Sequence, residues 1–488
     1  MIVGVDIGTQ TLKVCVLDRD LRVRGRAARR YPLDYPRPGW VEQDPRLWEL
    51  ALAPAVAESL ALADAAPRDV TAIGFCGQLD GCIAVDDAGD PLTSCITWID
   101  RRATAEIADV PADAVRETGG LVLDPGHLAA KARWLKRHAR PARPIARFHQ
   151  PVSYMVERLT GEAVIDPSLA STSMAYCLDR KRYDPTLLDC FELSAGVLPR
   201  IRPAESLAGG LTKRGAALAG LPHAVPVAVG TGDDFATPLG GGLVTPGRVA
   251  VSIGTGEVVG ALHATALRDR AALVETHAYP GGTYFIENPG WLGGGSMVWL
   301  GSILAVSDFA AMDALAAGVP PGCEGLTFIP ALSGAMAPQW QPDARGCFYG
   351  LTPAHGRGHM IRAVLEGCAF AMRDVVDHLE ELGIGTDSLL LVGGGARSAL
   401  WTQMRADIVG RSAEIPANVD CAPIGAAMLA AVAIGAFDTL PAAAQALGGK
   451  MRRLQPQAET AAAYEAAYAR YRDLFRHLTP LFAPANPS

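Results

Sequence analysis

The sequence predicts an α/β protein built from two copies of one domain, residues 1–243 and 244–488, facing each other across a central cleft. Two recurring hairpin patterns and an alternation of strand-like with helix-like segments predict it. The stretch Ile2 to Asp18 is two short β-rich runs joined by a Gly-Thr turn. Arg248 to Val259 repeats that pattern around Ile253-Gly254-Thr255, with Ser252 about 246 positions after Asp6. That displacement is half the chain, so a duplicated α/β unit with one hairpin at the head of each copy is the simplest architecture.

The elements follow in order. Ala72-Ile73-Gly74-Phe75 and Pro226 to Gly230 read as buried strands, while Pro45 to Leu62 and Ala129 to His138 carry helical spacing. A Gly-Gly-Gly run and the Pro246-Gly247 pair flank Leu243-Val244-Thr245 and mark the boundary between the copies. This linker is short, so the halves should hinge rather than float. Leu389 to Val392 reads as a buried strand running into a glycine turn and a helix. From Glu459 the chain returns to helical spacing and closes on Pro-Ala-Asn-Pro-Ser, a frayed end.

Composition excludes several classes of function. The 488 residues are 49% hydrophobic and 19% charged, ordinary for a globular protein with more than one core. A balance of 44 Lys and Arg against 51 Asp and Glu gives a formal charge of −7, which supplies no basic field for nucleic acid. Ten cysteines stand singly, Cys15, Cys76, Cys177 and Cys368 among them, and read as buried thiols of a reducing, cytoplasmic compartment. The first residues lack a basic stretch followed by a long apolar one, so no export signal is expected. Asn288 to Ser307 and Cys421 to Phe437 are long and uncharged, but their small residues and acidic flanks read as buried core segments, with no membrane partner.

The chemistry-bearing residues cluster at turns. A Gly-Thr turn between strands offers consecutive backbone N–H groups and hydroxyls, so Gly8, Thr9, Gln10 and Thr11 could hold phosphate oxygens, and Gly254 with Thr255 could do the same from the second copy. A plain tight turn satisfied by its aspartate is the alternative for either taken alone. Asp6, beside the first turn, suits a hydrated Mg²⁺, which prefers carboxylate oxygen. Val229 to Ala236 places Asp233 after an apolar strand and the glycines Gly230 and Gly232, where an acid can reach the mouth of a cleft and act as a base. With Asp234 beside it, the pair could instead form an Asx-type turn. The run Gly393-Gly394-Gly395-Ala396-Arg397-Ser398 would let adenosine lie against backbone, and Gly293 to Ser296, through Gly294, is a second candidate for that pocket or for close helix packing.

Together these segments resemble the FGGY carbohydrate kinases over nearly the whole chain. Gly346-Cys347-Phe348-Tyr349-Gly350-Leu351, followed after seven residues by His359 to Glu366, is similar to the family's C-terminal signature. Trp40 to Pro45, Trp98 to Arg102, Thr160-Gly161-Glu162 and Gly393 to Ser398 are similar too, with xylulose kinase the nearest subfamily. The resemblance implies two actin-like (ribonuclease H-like) ATPase domains, ATP and Mg²⁺ as cofactors, a small sugar as acceptor and a homodimer as a common assembly. It implies Asp233 as catalytic base, with Asp6 and Asp233 near the metal, and Thr9 with Thr255 at the two phosphate turns. Gly394, Gly395, Ala396 and Ser398 would then lie near adenosine, with Gln78, Leu79, Asp80, Trp98, Asp100, Asp233 and Asp234 on the sugar side. Asp80 stands where xylulose kinases carry histidine and Asp234 where they carry asparagine. The first exchange replaces a possible donor with an obligate acceptor. Gly334 to Pro338 likewise departs from the family's Gly-Glu-Arg-x-Pro.

Two other classes share such a framework: actin-like ATPases without a small acceptor, and sugar-binding regulators that have lost turnover. Asp233 together with the Gln78 to Gly81 strip favours a kinase over the first. Retention of Asp6, Thr9, Asp233 and Thr255 together argues against the second.

Overall fold

The computed structural model describes residues 1–447 and 451–482. The Pro-Ala-Asn-Pro-Ser end, expected to fray, lies outside the described residues. Two mixed sheets dominate. The first contains β1 (Ile2–Ile7), β2 (Thr11–Leu17), β3 (Val23–Arg30), β4 (Ala72–Gly77), β5 (Leu207–Gly210) and β6 (Pro226–Ala228), in the order β5-β6-β4-β1-β2-β3. A two-residue strand, Thr231–Gly232, also pairs with β4. The second contains β7 (Gly247–Ile253), β8 (Glu257–His263), β9 (Glu275–Ala278), β10 (Tyr284–Trp291), β11 (Thr386–Val392), β12 (Ser412–Ile415) and β13 (Arg452–Leu454), in the order β9-β10-β8-β7-β11-β12-β13.

The duplication is visible in the pairing. In β3-β2-β1-β4-β6 and in β10-β8-β7-β11-β12 the first three strands are antiparallel and the next two join in parallel. Asp6 on β1 lies opposite Cys76 on β4, and Ser252 on β7 lies opposite Val392 on β11. The loop beginning at Gln78 and the loop beginning at Gly394 therefore hold the same place in the two copies. One is the expected sugar strip and the other the expected adenosine loop.

Helices cover the sheets. On α1 (Arg46–Leu62), Trp48, Leu52, Ala55, Val56, Ser59 and Leu60 are buried at three- and four-residue spacing, as an amphipathic helix on a sheet requires. Others used below are α2 (Leu128–His138), α3 (Asp233–Gly240), α4 (Gly293–Leu304), α5 (Arg357–Glu381), α6 (Ala399–Val409) and α7 (Ala422–Ala433). Two of them cross between the halves. α7, from the second half of the chain, packs on β1 and β4, while α3, from the first half, packs on β7 and β11 and against α7. The approach of α7 is close: a Cβ on Gly4 would lie 1.8 Å from the Pro423 carbonyl oxygen, and one on Gly74 2.0 Å from that of Ala426.

Cys421 to Ala431 is accordingly core, as composition suggests, but the rest of that run to Phe437 is half-buried or exposed, and Asn288 to Ser307 is not wholly core either. It comprises the end of β10 and helix α4, whose Val298 and Ile303 are each 60% exposed. Among the described residues no single helix is long and apolar enough to cross a membrane, and α4 meets the next helix, Phe309–Ala317, at 87°. All ten cysteines are free, and eight of them are buried.

Candidate active site

Parallel strands that end level with one another bring Asp6, Gln78 and Asp233 to one edge of the first sheet. Asp6 and Thr231 both lie opposite Cys76, on either side of β4, and the Gln78 N–H donates to the Ile7 carbonyl at 2.9 Å. The Thr231 hydroxyl donates to Asp166 Oδ2 at 2.9 Å, and Asp166 also accepts from the amides of Ser168 and Leu169. This buried carboxylate, pushed up to about 6 by burial, fixes the strand that delivers Asp233. Asp233 and Asp234 form the first turn of α3, where the N-terminal end of a helix favours negative charge.

Burial, then the charge of Asp234 and then that of Asp6 hold the Asp233 carboxyl well above the ordinary carboxylate range. Burial also raises Asp6, against the pull of Lys13, whose Nζ lies 3.4 Å from Oδ2. Asp6 Oδ1 is buried without a partner among the described residues.

The two turns are built on one plan. In the first, Gly8 N–H closes on the Thr11 carbonyl, while every carbonyl from Gly8 to Gln10 is tied back. Tyr31 OH donates to Gly8 O at 2.6 Å, Gln43 Nε2 to Thr9 O at 2.9 Å, and Tyr31 N–H to Gln10 O at 3.2 Å. In the second, Gly254 N–H closes on Gly256 O, and the first amides of α4 hold the carbonyls: Gly294 N–H to Gly254 O and Gly295 N–H to Thr255 O, each at 2.9 Å. Among the described residues the amides of Thr9, Gln10, Thr255 and Gly256 take no partner. Acceptors face inward and donors are left over, which is the arrangement an anion needs. Gly294 is thus a packing residue behind the second turn, where a Cβ would lie 2.4 Å from Gly254 O. Buried Glu257, at the foot of this turn, accepts from both terminal nitrogens of Arg405 on α6, each at 2.6 Å.

Gln43 joins the first turn to the expected sugar strip. Its amide donates to Thr9 O and to Pro32 O, and its oxygen accepts from Trp48 Nε1 at 2.8 Å and Gln78 Nε2 at 3.1 Å. Trp98 is 47% exposed and donates from Nε1 to Thr9 Oγ1 at 3.1 Å, so it stands at the mouth of the site rather than in a core. Asp100 does not join this group. Its side chain is buried, accepts from Val41 N–H at 2.6 Å and holds Arg102, which lies over the Trp40 ring at 3.7 Å.

In the strip expected on the sugar side, Asp80 adopts a left-handed backbone with φ 57°. Gln150 accepts its N–H at 2.9 Å and Lys131 Nζ donates to its carbonyl at 2.8 Å. Asp80 Oδ2 meets His127 Nδ1 at 3.1 Å. Burial opposes ionisation of Asp80, but the charge and hydrogen bond of His127 outweigh it and hold the carboxyl below its usual range. Burial likewise opposes charging of His127, yet Asp80 carries that imidazole up to about 9. The second half adds Glu275 and His277 from β9 and Glu287 from β10, all buried. His277 Nε2 lies 3.2 Å from Glu287 Oε1 and 3.7 Å from Glu275 Oε2, with its ring edge-on to Phe235. Leu79 is half-buried and packs beneath the Gly232 backbone.

In the second copy, the Gly393 to Ser398 loop lies over the end of β7, where a Cβ on Gly395 would meet the Ile253 side chain at 2.3 Å. Gly394 is exposed and Gly395 half-buried, Ala396 is buried, and the Ser398 hydroxyl caps α6 by accepting from Trp401 N–H at 3.0 Å. An open cavity of about 420 Å³ flanks the loop, lined by Ala396, Arg397 and Ile415 to Val419.

Asp166, His127, His277, Glu287, Gln43 and Tyr31 carry much of this geometry, and none was singled out from the sequence. Gln43 falls inside the Trp40 to Pro45 segment and could have been found there. The others had no local signal, because their partners lie far along the chain.

Two turns of one plan, one on each sheet, and an acid beside the first fit a phosphotransferase of the duplicated ATPase fold. The chain belongs to the FGGY family of carbohydrate kinases. Residues 1–240 match the family's N-terminal domain and 249–434 its C-terminal domain. It is 33% identical to the xylulose kinase of Escherichia coli over 493 residues, covering 99% of this chain and 100% of that one. It is 35% identical to the glycerol kinase of Gloeobacter violaceus over 448 residues, covering 89% and 88%. Among solved structures it is similar to the xylulose kinase of Rhodospirillum rubrum, with TM-score 0.87 and 29% identity over 98% of this chain and 99% of that one.

Proposed function

We propose that the protein transfers the γ-phosphoryl group of ATP to a hydroxyl of a small ketose, a pentulose such as D-xylulose, with Asp233 as general base. The observation that carries this reading is the pair of turns whose carbonyls are tied back and whose amides at Thr9, Gln10, Thr255 and Gly256 are free, beside the raised carboxyl of Asp233. Relatives at comparable identity include both xylulose and glycerol kinases, so the acceptor is argued from the site. The polar side chains Gln78, Asp80, His127, Asp234, His277 and Glu287 exceed what a three-carbon acceptor can pair with, which favours a longer polyhydroxylated one.

In this mechanism the four amides hold phosphate oxygens and adenosine lies against the Gly394 to Ser398 loop. Asp233 accepts the proton of the acceptor hydroxyl as its oxygen attacks the γ-phosphorus and ADP leaves. The unpartnered Asp6 Oδ1 beside Asp233 fits Mg²⁺, an ion that takes one or two carboxylates and fills its other positions with water and phosphate. Bound there, it would supply neutralisation of phosphate charge.

ADP release coupled to a spectrophotometric readout, run across ketopentoses, pentitols and glycerol with ATP and Mg²⁺, tests the reading. A ketopentose should give the highest kcat/KM. Glycerol as best acceptor would replace the pentulose, and no acceptor-stimulated ADP release would overturn the kinase reading.

A further inference from the structure

Resting on that reading, the polar groups gathered around Asp234, next to Asp233, say more about the acceptor. They come from both halves of the chain: Asp80 and His127 from the first, Asp234 from the start of α3, and Glu275, His277 and Glu287 from β9 and β10. Asp80 Oδ1, Gln78 Oε1, Glu287 Oε2 and His277 Nδ1 are buried without a hydrogen-bond partner among the described residues, and His277 Nε2 has only its 3.2 Å contact with Glu287 Oε1. Glu287 and His277 are 3% and 2% exposed, and unpaired polar atoms so deep are costly unless a ligand or water meets them. β9 is pinned over this spot by Thr276 N–H to Gly120 O at 2.9 Å, Val122 N–H to Glu275 Oε1 at 2.8 Å and Ala278 N–H to Ser171 Oγ at 3.1 Å.

We infer that Glu287, with His277 and Asp80, is a specificity determinant on the second half of the chain that admits uncharged, hydroxyl-rich acceptors and rejects acceptors ending in a carboxylate. The two cationic groups among these side chains, His127 and Lys131, are both already engaged. Asp80 already engages His127, and Lys131 Nζ is engaged by the carbonyls of Asp80 and Gly126. The free atoms are mainly acceptors, so a sugar hydroxyl finds a partner wherever it donates. An aldonate would bury a carboxylate where neither cation is free to pair with it. Burial, with the charge of Asp80, pushes Glu287 up to about 8, so at neutral pH it can also donate to a hydroxyl or ketone oxygen.

The test measures D-xylulose and D-gluconate side by side, by calorimetric binding and by kcat/KM, in wild type, Glu287→Gln, and Asp80→Asn/Glu287→Gln. Wild type should favour the neutral acceptor by about 100-fold or more, and the double variant should narrow that ratio by about 10-fold, with the KM for ATP unchanged. His277→Asn serves as an independent variant should the double one be unstable. Equal binding of the two acceptors by wild type, or an unchanged ratio in folded variants, overturns the inference. Selective binding without turnover of any acceptor would overturn the kinase reading and uphold the pocket.

Discussion

At the scale of single residues, the proposed reaction separates groups that would do chemistry from groups that would aim them. Asp233→Asn keeps size and removes the base, so kcat should fall by about 10²- to 10⁴-fold while nucleotide binding persists. Steady-state kinetics with a nucleotide titration checks this, and near-wild-type phosphorylation would exclude Asp233 as base. His127 makes a second prediction. Its imidazole titrates at about 9 rather than 6.5, so the stabilisation from its protonation is complete below about 6.5 and lost as pH rises through about 9. Lys131, lowered by burial to about 8, works in the opposite sense over part of that range, so a direct probe is preferable to a melting curve. Asp80→Asn should bring the His127 transition down by at least about one pH unit in an NMR titration, since burial then acts with only the weaker charges of Glu275 and Asp124 against it. An unmoved transition would show that the 3.1 Å contact does not set it. The placement of Asp6 and Asp233 at one sheet edge was legible because turn-adjacent acids announce themselves in a short window. Asp166 was not: its link to Thr231 spans 65 residues, and in sequence it looks like any helix cap.

At the scale of elements, the two hairpins were legible because glycine, threonine and β-branched residues encode a turn locally. Their backing was not, since Tyr31, Gln43 and α4 reach the turns only through tertiary contact. The uncharged run at Asn288 to Ser307 suggested burial all round, yet α4 buries one side and exposes Val298 and Ile303 on another. Its glycines answer to the Gly254 and Thr255 carbonyls instead. Gly294→Ala should therefore displace α4 from the second turn and raise the KM for ATP by about 10-fold, with acceptor affinity little changed in the absence of nucleotide. Unaltered nucleotide kinetics would show that α4 does not support the turn.

At the scale of the whole molecule, the duplicated α/β layout was readable from the half-length repeat, and the crossing of α3 and α7 was not, because no pattern in either helix names the sheet it will cover. The contacts of β9 with Gly120, Val122 and Ser171 bridge the halves on the acceptor side. Closure about Leu243 to Gly247 should then bring the two turns together on the nucleotide side. Sugar and a non-hydrolysable ATP analogue should each tighten the other by about 1–3 kcal/mol, and the radius of gyration should fall in the ternary complex. Calorimetry and solution scattering measure both, and zero coupling with equal radii would leave a rigid, preformed cleft.

The exchange of helices also bears on how the chain comes off the ribosome. Gly4 and Gly74, translated among the first residues, have their covering backbone at Pro423 and Ala426, translated near the end. One face of the N-terminal sheet must wait, apolar and uncovered, through almost the whole of synthesis, a situation that invites chaperone binding. It also means that the two halves of this chain share a packed surface. A fragment ending before residue 422 should expose the surface that α7 covers, whereas the intact chain should melt in one cooperative transition.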